Sequence, residues 1–395
     1  MRKFRLTRLE TVICGAGAIE RLAEELDSRG ATRAVLATSG SLGRSRLIDR
    51  VRHALGPRCA GVNAEAAQHA PAGRVRGLAA ALDELRADAI VTFGGGSVID
   101  SGKVAVASRL CGRDMTHEAG SLDFAKAFAP RALGGGAAGA FVHIAIPTTL
   151  SAGAFTPGGG VTDEATGLKR AVIDPRLQPC VVIHDPELCV ETPDELWAST
   201  GIRVLDHAVE TIYAKRAHPL SDALAVRAIR MIVEHLPRSL GSSRSHIEHR
   251  AECLDAAWLS LYGAFNTGLG LSHALGHQIG PAWNVPHGVT SCVALVPAMR
   301  FMAQRAPQRF ADIAEALRLP FDPAHAREGA LACAACVESF IARLRLPAKL
   351  CALGVARASL YDIAEAVREE LDGFDALDRR ITPEEIRALL RSAYE

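Results

Sequence analysis

The pattern of apolar residues changes once along this 395-residue chain, near residue 185, and this change constrains the fold more than any other feature. Before it, short β-rich runs such as RAVLATSG and ADAIVTFGGG alternate with helical patterns such as SLGRSRLIDRVRHAL. That alternation is typical of βαβ units, which build a parallel sheet covered by helices. The sequence therefore predicts an α/β domain over residues 1–185.

The second half of the chain has a different pattern of apolar residues. Segments such as LSDALAVRAIRMIVEHLP and PEEIRALLRSAYE repeat their apolar residues at spacings of three and four, which is the period of an amphipathic helix. Runs of β-branched residues nearly vanish after residue 185. We therefore predict an all-α domain over residues 186–395.

Charge and composition exclude several classes of partner. The 45 basic and 44 acidic residues are scattered and leave a formal net charge of +1, so no basic surface for nucleic acid is predicted. No apolar run is long enough to span a membrane, and the ten cysteines lack the spacing of a disulfide framework. We expect a cytoplasmic protein that acts on a small molecule and forms a homodimer.

A strand, three glycines, a serine and a helix follow one another in VTFGGGSVIDSGKVAVASRL, residues 91–110. Glycine permits positive φ and lets backbone N–H groups approach an anion, and a helix N-terminus adds partial positive charge. This pattern predicts a phosphate cradle formed by Gly94, Gly95, Gly96 and Ser97. The alternative is a tight turn that needs glycine only for its own geometry.

Four histidines form a second constellation. His273 and His277 lie four residues apart in a helical pattern and share a face, while His287 follows behind Pro286. His207 belongs to an earlier predicted helix. Imidazoles titrate near neutral pH and bind metals, so the sequence predicts a reactive cluster. The alternative is four unrelated structural histidines.

Four motifs in order make the chain similar to the group III, iron-containing alcohol dehydrogenase family over residues 10–390. They are GGGSVIDSGK, IPTTLS, DPEL and GLSHALGHQIGPAWNVPHG. The resemblance implies a dehydroquinate synthase-like architecture, with an α/β dinucleotide-binding domain followed by a helical one. It also implies hydride transfer to or from NAD or NADP. The cofactor-binding residues that it implies are Gly94, Gly95, Gly96, Ser97, Asp100, Thr148, Thr149 and Lys169.

The choice between NAD and NADP depends on the segment after the second strand, VLATSGSLGRS. An acidic residue there commonly binds the ribose 2′-hydroxyl and selects NAD. This chain has Thr38 and Ser39 at that place and no carboxylate, while Arg44 and Arg46 follow. Ser39 is therefore a predicted cofactor contact, and the choice of cofactor stays open.

In iron-dependent relatives, an aspartate and a histidine four residues apart bind the metal together with two later histidines. The resemblance places these histidines at His207, His273 and His287, and the aspartate position holds Arg203. A guanidinium about 5 Å from a divalent ion would be repelled by on the order of 7 kcal/mol. We therefore expect a broken iron or zinc site in which Arg203 supplies the positive charge. The alternative is an ion pair of Arg203 with Asp206 or Glu210.

The predicted function is NAD(P)-dependent reduction of a carbonyl compound, with Arg203, His207, His273 and His277 as catalytic residues. The segment SAGAFTPGGGVTDE resembles the substrate loop of maleylacetate reductases, which reduce a 4-oxo dicarboxylate, whereas SHALGH and PHG are closer to ordinary alcohol dehydrogenases. Three alternatives remain: a metal-dependent alcohol dehydrogenase that uses three histidines, a dehydroquinate synthase-like lyase, and a catalytically silent nucleotide-binding protein.

Overall fold

The computed structural model describes residues 7–118, 141–167, 169–241, 246–268, 270–374, 377 and 380–395. The chain divides into two compact units, one ending at Thr192 and the other beginning at Pro193. None of the described helices combines the length and apolar character that crossing a membrane requires.

The first unit contains a six-stranded sheet in which every pair of neighbouring strands is parallel. Its strands are β1 (Thr11–Cys14), β2 (Ala34–Ser39), β3 (Cys59–Ala66), β4 (Ala89–Gly94), β5 (Val142–Pro147) and β8 (Val181–His184), in the order β1-β8-β5-β4-β2-β3. The central strands are buried along nearly their whole length, because helices cover both faces of the sheet. Their apolar runs are therefore continuous rather than alternating.

The helices of this unit form two cores, one on each face of the sheet. They are α1 (Leu22–Asp27), α2 (Arg46–Leu55), α3 (Ala72–Glu84), α4 (Gly96–Cys111) and α5 (Met115–Glu118). Helix α4 approaches the sheet closely, since a Cβ at Gly102 would lie 2.4 Å from the Thr92 side chain. The unit also contains an antiparallel hairpin of β6 (Gly158–Thr162) and β7 (Lys169–Ile173).

The described part of the second unit is helical. Its helices are α6 (Asp194–Tyr213), α7 (Pro219–His235), α8 (His246–Thr267), α9 (Leu271–Trp283), α10 (His287–Arg305), α11 (Phe310–Leu317), α12 (Ala326–Arg343), α13 (Ala364–Phe374) and α14 (Pro383–Tyr394). Helix α6 is buried continuously from Trp197 to Tyr213, as expected for a helix surrounded by others. The predicted fold class, an α/β half with a parallel sheet followed by an all-α half, is confirmed.

Candidate active site

The glycine turn joins the end of β4 to the start of α4. Gly94 has φ of +155°, a conformation that side-chain-bearing residues rarely adopt, whereas Gly95 has φ of −77°. The general expectation of positive φ in this loop therefore holds for Gly94 and is wrong for Gly95. Gly95 is needed for a different reason, which is the close approach of a neighbouring segment.

That neighbouring segment follows β5 and contains the predicted threonine pair. The Thr148 N–H donates to the Gly94 carbonyl at 3.0 Å and ties the two segments together. A Cβ on Gly95 would lie 3.1 Å from Thr149 Cγ2, and one on Gly96 would lie 3.0 Å from Ser151 Oγ.

Two hydroxyl groups line this turn without a hydrogen-bond partner among the described residues. Thr149 Oγ1 and Ser151 Oγ are both buried there, next to the N-terminus of the 16-residue helix α4. Unpartnered donors beside a helix N-terminus are suited to an anionic phosphate oxygen. The residues present therefore fit the pyrophosphate of a dinucleotide.

Lys103 anchors the loop that follows the threonine segment after β5, a role that sequence reasoning did not assign. Its buried Nζ donates to the carbonyls of Gly153, Thr156 and Gly158 at 2.6, 2.6 and 2.9 Å. Burial lowers the pKa of Lys103 to about 8, while the charge of Asp100 acts in the opposite direction. The Thr156 hydroxyl also faces this ammonium group, at 3.0 Å. Thr156, within the segment that resembles a substrate loop, is thus part of the anchor.

Two further predicted cofactor contacts, Ser39 and Ser97, lie near the glycine turn. Strands β2 and β4 are parallel neighbours, so Ser39, the last residue of β2, lies at the same edge of the sheet as the glycine turn. The Ser39 and Ser41 hydroxyls lie 3.0 Å apart, and the Arg44 side chain is exposed close by. Ser97 accepts the His69 N–H at 3.1 Å. The side chain of Lys169 lies outside what the structure describes.

In the helical unit, the four predicted histidines lie in one continuous row of rings. His207 on α6 stacks on His273 of α9 with centroids 4.9 Å apart, and His273 meets His277 edge-on at 6.3 Å. His277 stacks on His287, the first residue of α10, at 5.6 Å with nearly parallel rings. His207 and His273 are fully buried, whereas the His277 side chain is 9% exposed and His287 is partly exposed. The row therefore runs from the interior towards the accessible end of the cluster.

Arg203 lies one helical turn before His207 and is only 5% exposed. Its Nη1 donates to Ser291 Oγ on α10 at 3.3 Å. Burial, followed by the charge of Arg203, lowers the pKa of His273 well below its ordinary value. Burial also lowers the pKa of His207, with further contributions from His273 and Arg203. Both inner imidazoles are therefore neutral at neutral pH.

Glu210 connects α6 to the start of α9 and so positions His273. Its carboxylate accepts the N–H groups of Gly270 and Ser272 at 2.9 and 2.6 Å, and His273 Nδ1 lies 2.6 Å from Oε2. A Cβ on Gly270 would lie 2.8 Å from Glu210 Oε1, which explains the glycine before α9. Burial raises the pKa of Glu210 to about 7.

Asp206 is the second buried carboxyl group of this cluster. Its Oδ2 accepts a hydrogen bond from the Ser272 hydroxyl at 3.0 Å. Burial, and then the charge of Glu210, raises the pKa of Asp206 well above its ordinary value. The charge of Arg203 lowers this pKa, so the arginine partly offsets the repulsion between the carboxyl groups of Asp206 and Glu210.

These residues do not fit the iron site that the resemblance implies. The aspartate position is a buried guanidinium, which keeps its charge and cannot ligate a cation. Asp206, Glu210 and His273 are the metal-binding side chains that cluster among the described residues of this unit. Their ligand atoms all lie within 4.8 Å of one another. Asp206 Oδ2 already accepts from Ser272, and Glu210 Oε2 already pairs with His273 Nδ1, so this trio is a structural network rather than an open ligand set.

His277 has a partner that no sequence motif indicated. Its Nδ1 lies 2.5 Å from Oε1 of Glu370 on α13, and Gln278 Nε2 donates to the other carboxylate oxygen at 2.8 Å. Glu370 lies 93 residues after His277 in an ordinary amphipathic helix. Nothing in its local sequence distinguishes it from neighbouring surface acids.

Comparison with known proteins assigns both halves of the chain to one family. The family model of iron-containing alcohol dehydrogenase matches residues 10–186, and the C-terminal model of the Fe-containing alcohol dehydrogenase family matches residues 197–394. The chain is 31% identical over 392 residues to a maleylacetate reductase of Burkholderia cepacia, which covers 98% of this chain and 96% of that protein.

Two further relatives are named for 1,3-propanediol. The 1,3-propanediol dehydrogenase of Klebsiella pneumoniae is 30% identical over 388 residues, which cover 96% of each protein. The crystal structure of a 1,3-propanediol oxidoreductase, 27% identical, matches with a TM-score of 0.89 and covers all of both chains.

Proposed function

The chain belongs to the iron-containing alcohol dehydrogenase family and is an oxidoreductase, and we propose that it reduces a small carbonyl compound with NADH or NADPH without using a metal. One observation carries the metal-free part of this proposal. Arg203 is buried at the position where the family resemblance places a metal-binding aspartate. A fixed guanidinium there opposes a divalent cation and provides a positive charge of its own.

The reaction needs an electrophile, a hydride donor and a proton donor. A bound NADH or NADPH would supply the hydride, and its nicotinamide would thereby be oxidised. The carbonyl carbon accepts this hydride, the π electron pair moves onto the carbonyl oxygen, and the carbonyl is reduced to an alkoxide. The Arg203 guanidinium donates hydrogen bonds to this oxygen, and a proton from the histidine cluster completes the alcohol.

A carboxylate on the substrate suits this site. A guanidinium that donates to the carbonyl oxygen also attracts a nearby carboxylate through its positive charge. Residues 151–164 resemble the substrate loop of maleylacetate reductases, and a protein of that name is 31% identical. We therefore propose an oxo acid, such as a 4-oxo dicarboxylate, as the substrate class.

A metal-dependent alcohol dehydrogenase is the second candidate, and one observation favours it. His207 Nδ1 and His273 Nε2 are buried and have no hydrogen-bond partner among the described residues. Neutral imidazole nitrogens in that state are suited to a metal. The charge of Arg203, which lies among the same groups, supports the metal-free proposal instead.

A substrate screen tests the proposed function. Oxidation of NADH and NADPH is followed by absorbance with aldehydes, ketones and oxo acids, each with and without added Fe²⁺ or Zn²⁺. We expect net turnover that is fastest with an oxo acid and independent of added metal. Cofactor binding with no net turnover of any carbonyl would instead indicate the lyase or the silent nucleotide-binding protein.

We expect NADPH to be used within about tenfold of NADH in kcat/KM, a difference of about 1.4 kcal/mol or less. Residues 39–46 contain no carboxylate that would repel a 2′-phosphate, and the exposed Arg44 can attract one. Steady-state kinetics with both cofactors measure this ratio. A preference for NADH by several orders of magnitude would contradict it.

Substitutions at Ser39 and Arg44 test whether this segment determines the use of NADPH. Ser39→Asp should lower kcat/KM for NADPH at least tenfold and leave NADH nearly unchanged, because the new carboxylate repels only the 2′-phosphate. Arg44→Gln should weaken NADPH alone. Arg52→Gln, at an exposed arginine on α2, is the matched control and should change neither.

A further inference from the structure

We propose that Glu370 is a positioning residue, which holds the ring hydrogen of His277 on Nδ1 and so leaves Nε2 as the atom that exchanges a proton with the substrate oxygen. This inference rests on the proposed function, because it assigns the proton transfer of that reaction to one atom. It adds a residue from α13 to a site otherwise built from α6, α9 and α10.

The contact between His277 and Glu370 is sheltered from water. Nδ1 and Oε1 lie 2.5 Å apart, and the two side chains are 9% and 5% exposed. On the same helix, Glu365 pairs with Arg368 at the surface, where its side chain is 62% exposed. A hydrogen bond to a carboxylate is stronger in a sheltered place than at such an exposed one. Glu370 is therefore suited to fixing the ring, unlike Glu365.

Gln278 determines which oxygen of Glu370 faces His277. Its amide nitrogen, which can only donate, lies 2.8 Å from Glu370 Oε2, while His277 uses Oε1. A carboxylate accepts hydrogen bonds through both oxygens, so it satisfies both neighbours at once. An amide at residue 370 could accept from only one of them. While Gln278 keeps its amide nitrogen towards residue 370, an amide there accepts from Gln278 and turns its own N–H groups towards His277 Nδ1, which places the ring hydrogen on Nε2.

A comparison with His273 explains why His277 is the histidine in question. His273 Nδ1 contacts Glu210 Oε2 in the same way, at 2.6 Å, but its side chain is fully buried. His277 lies one turn later on α9, and its side chain is 9% exposed. A substrate can reach the outer ring more readily than the inner one.

The location of the hydrogen determines what the ring can do. With hydrogen on Nδ1, the lone pair of Nε2 accepts the hydroxyl proton of an alcohol as its hydride leaves for the oxidised nicotinamide. The alcohol becomes a carbonyl, the nicotinamide is reduced, and the proton remains on Nε2. Carbonyl reduction runs through the same transfer in reverse. With hydrogen on Nε2 instead, this transfer has no acceptor.

Exchanging one atom at residue 370 tests the proposal. Glu370→Gln should lower kcat at least tenfold in both directions, while KM for the nicotinamide cofactor and for the carbonyl substrate stay within about twofold. Glu369→Gln is the matched control, since Glu369 is the adjacent exposed acid, and it should behave as the unmodified protein.

A second substitution tests the hydrogen-bond direction. In Glu370→Gln/Gln278→Glu, the amide at residue 370 can donate to the new carboxylate and accept from His277 Nδ1. Most of the lost kcat should return in this double variant. An unchanged kcat in Glu370→Gln would overturn the proposal, and so would a loss that the double variant fails to recover.

A spectroscopic measurement decides the question without turnover. NMR of the protein labelled with ¹⁵N-histidine, with His277 assigned from a His277→Gln variant, locates the ring hydrogen directly. We expect it on Nδ1 in the unmodified protein and on Nε2 in Glu370→Gln. Hydrogen on Nε2 in the unmodified protein would overturn the inference. Absence of NAD(P)H turnover would contradict only the proposed function.

Discussion

Replacing Arg203 with aspartate should lower kcat for carbonyl reduction by about 10² to 10³. The variant loses a charge-assisted hydrogen bond to the oxygen on which negative charge develops, and loss of one such donor has an effect of this size. Steady-state oxidation of NADH with the best oxo acid measures the change. A kcat within about threefold of the unmodified protein would show that Arg203 is not the electrophile.

The same substitution should create metal affinity. An aspartate at residue 203, together with His207, His273 and His287, would complete the ligand set that the family resemblance implies, and these are donors that Zn²⁺ accepts. Calorimetric titration with Zn²⁺ should therefore detect a site in the variant that the unmodified protein lacks. The bound Zn²⁺ would then replace the Arg203 guanidinium as the positive charge of the site.

Two companion variants separate chemistry from folding. Arg203→Asp places a third carboxyl group near Asp206 and Glu210, whose pKa values burial already raises. The variant Arg203→Asp/Asp206→Asn removes one of these groups, and it should fold even if the single variant fails to fold. Arg203→Lys keeps the charge but loses the planar fork, so its kcat should fall less than that of Arg203→Asp.

Replacing Gly95 with valine should raise the dissociation constant for NADH by at least 100-fold, or about 2.7 kcal/mol. A Cβ at residue 95 would lie 3.1 Å from Thr149 Cγ2 and 3.3 Å from Thr149 Oγ1. The larger side chain fills the space in which the Thr149 hydroxyl and the α4 N-terminus would meet a phosphate. Fluorescence titration with NADH measures the loss.

Gly77→Val is the control for this variant. Gly77 is exposed on α3, and a Cβ there would meet nothing within 4 Å. Circular dichroism should show both variants folded, and only Gly95→Val should lose cofactor binding. A folded Gly95→Val protein that binds NADH normally would mean that the pyrophosphate lies elsewhere.

The fold was predictable from the sequence because the apolar residues follow a different pattern in each half of the chain. Strand β4 is buried along its whole length, so its residues form a continuous apolar run. The apolar residues of the second half recur every three or four positions, which predicts helices. The glycine turn was recognisable for a similar reason, since strand, glycines and helix are adjacent in the chain.

Other parts of the candidate site could not be predicted, because their partners are distant in sequence. Glu210 meets His273 across 63 residues, and Glu370 meets His277 across 93. No spacing rule relates such pairs, and each glutamate lies in an ordinary helical pattern. The expectation of positive φ was wrong at Gly95 for another reason: a run of glycines does not indicate which of them adopts the unusual backbone conformation.

Metal content and activity measured on the same chelated sample test the central claim most directly. The protein is treated exhaustively with a strong chelator, its iron and zinc are quantified by mass spectrometry, and its turnover is measured before and after addition of Fe²⁺ or Zn²⁺. We predict far less than one metal per chain and full turnover that added metal does not raise. One tightly bound metal per chain, with turnover abolished by chelation and restored by that metal, would contradict the role assigned to Arg203.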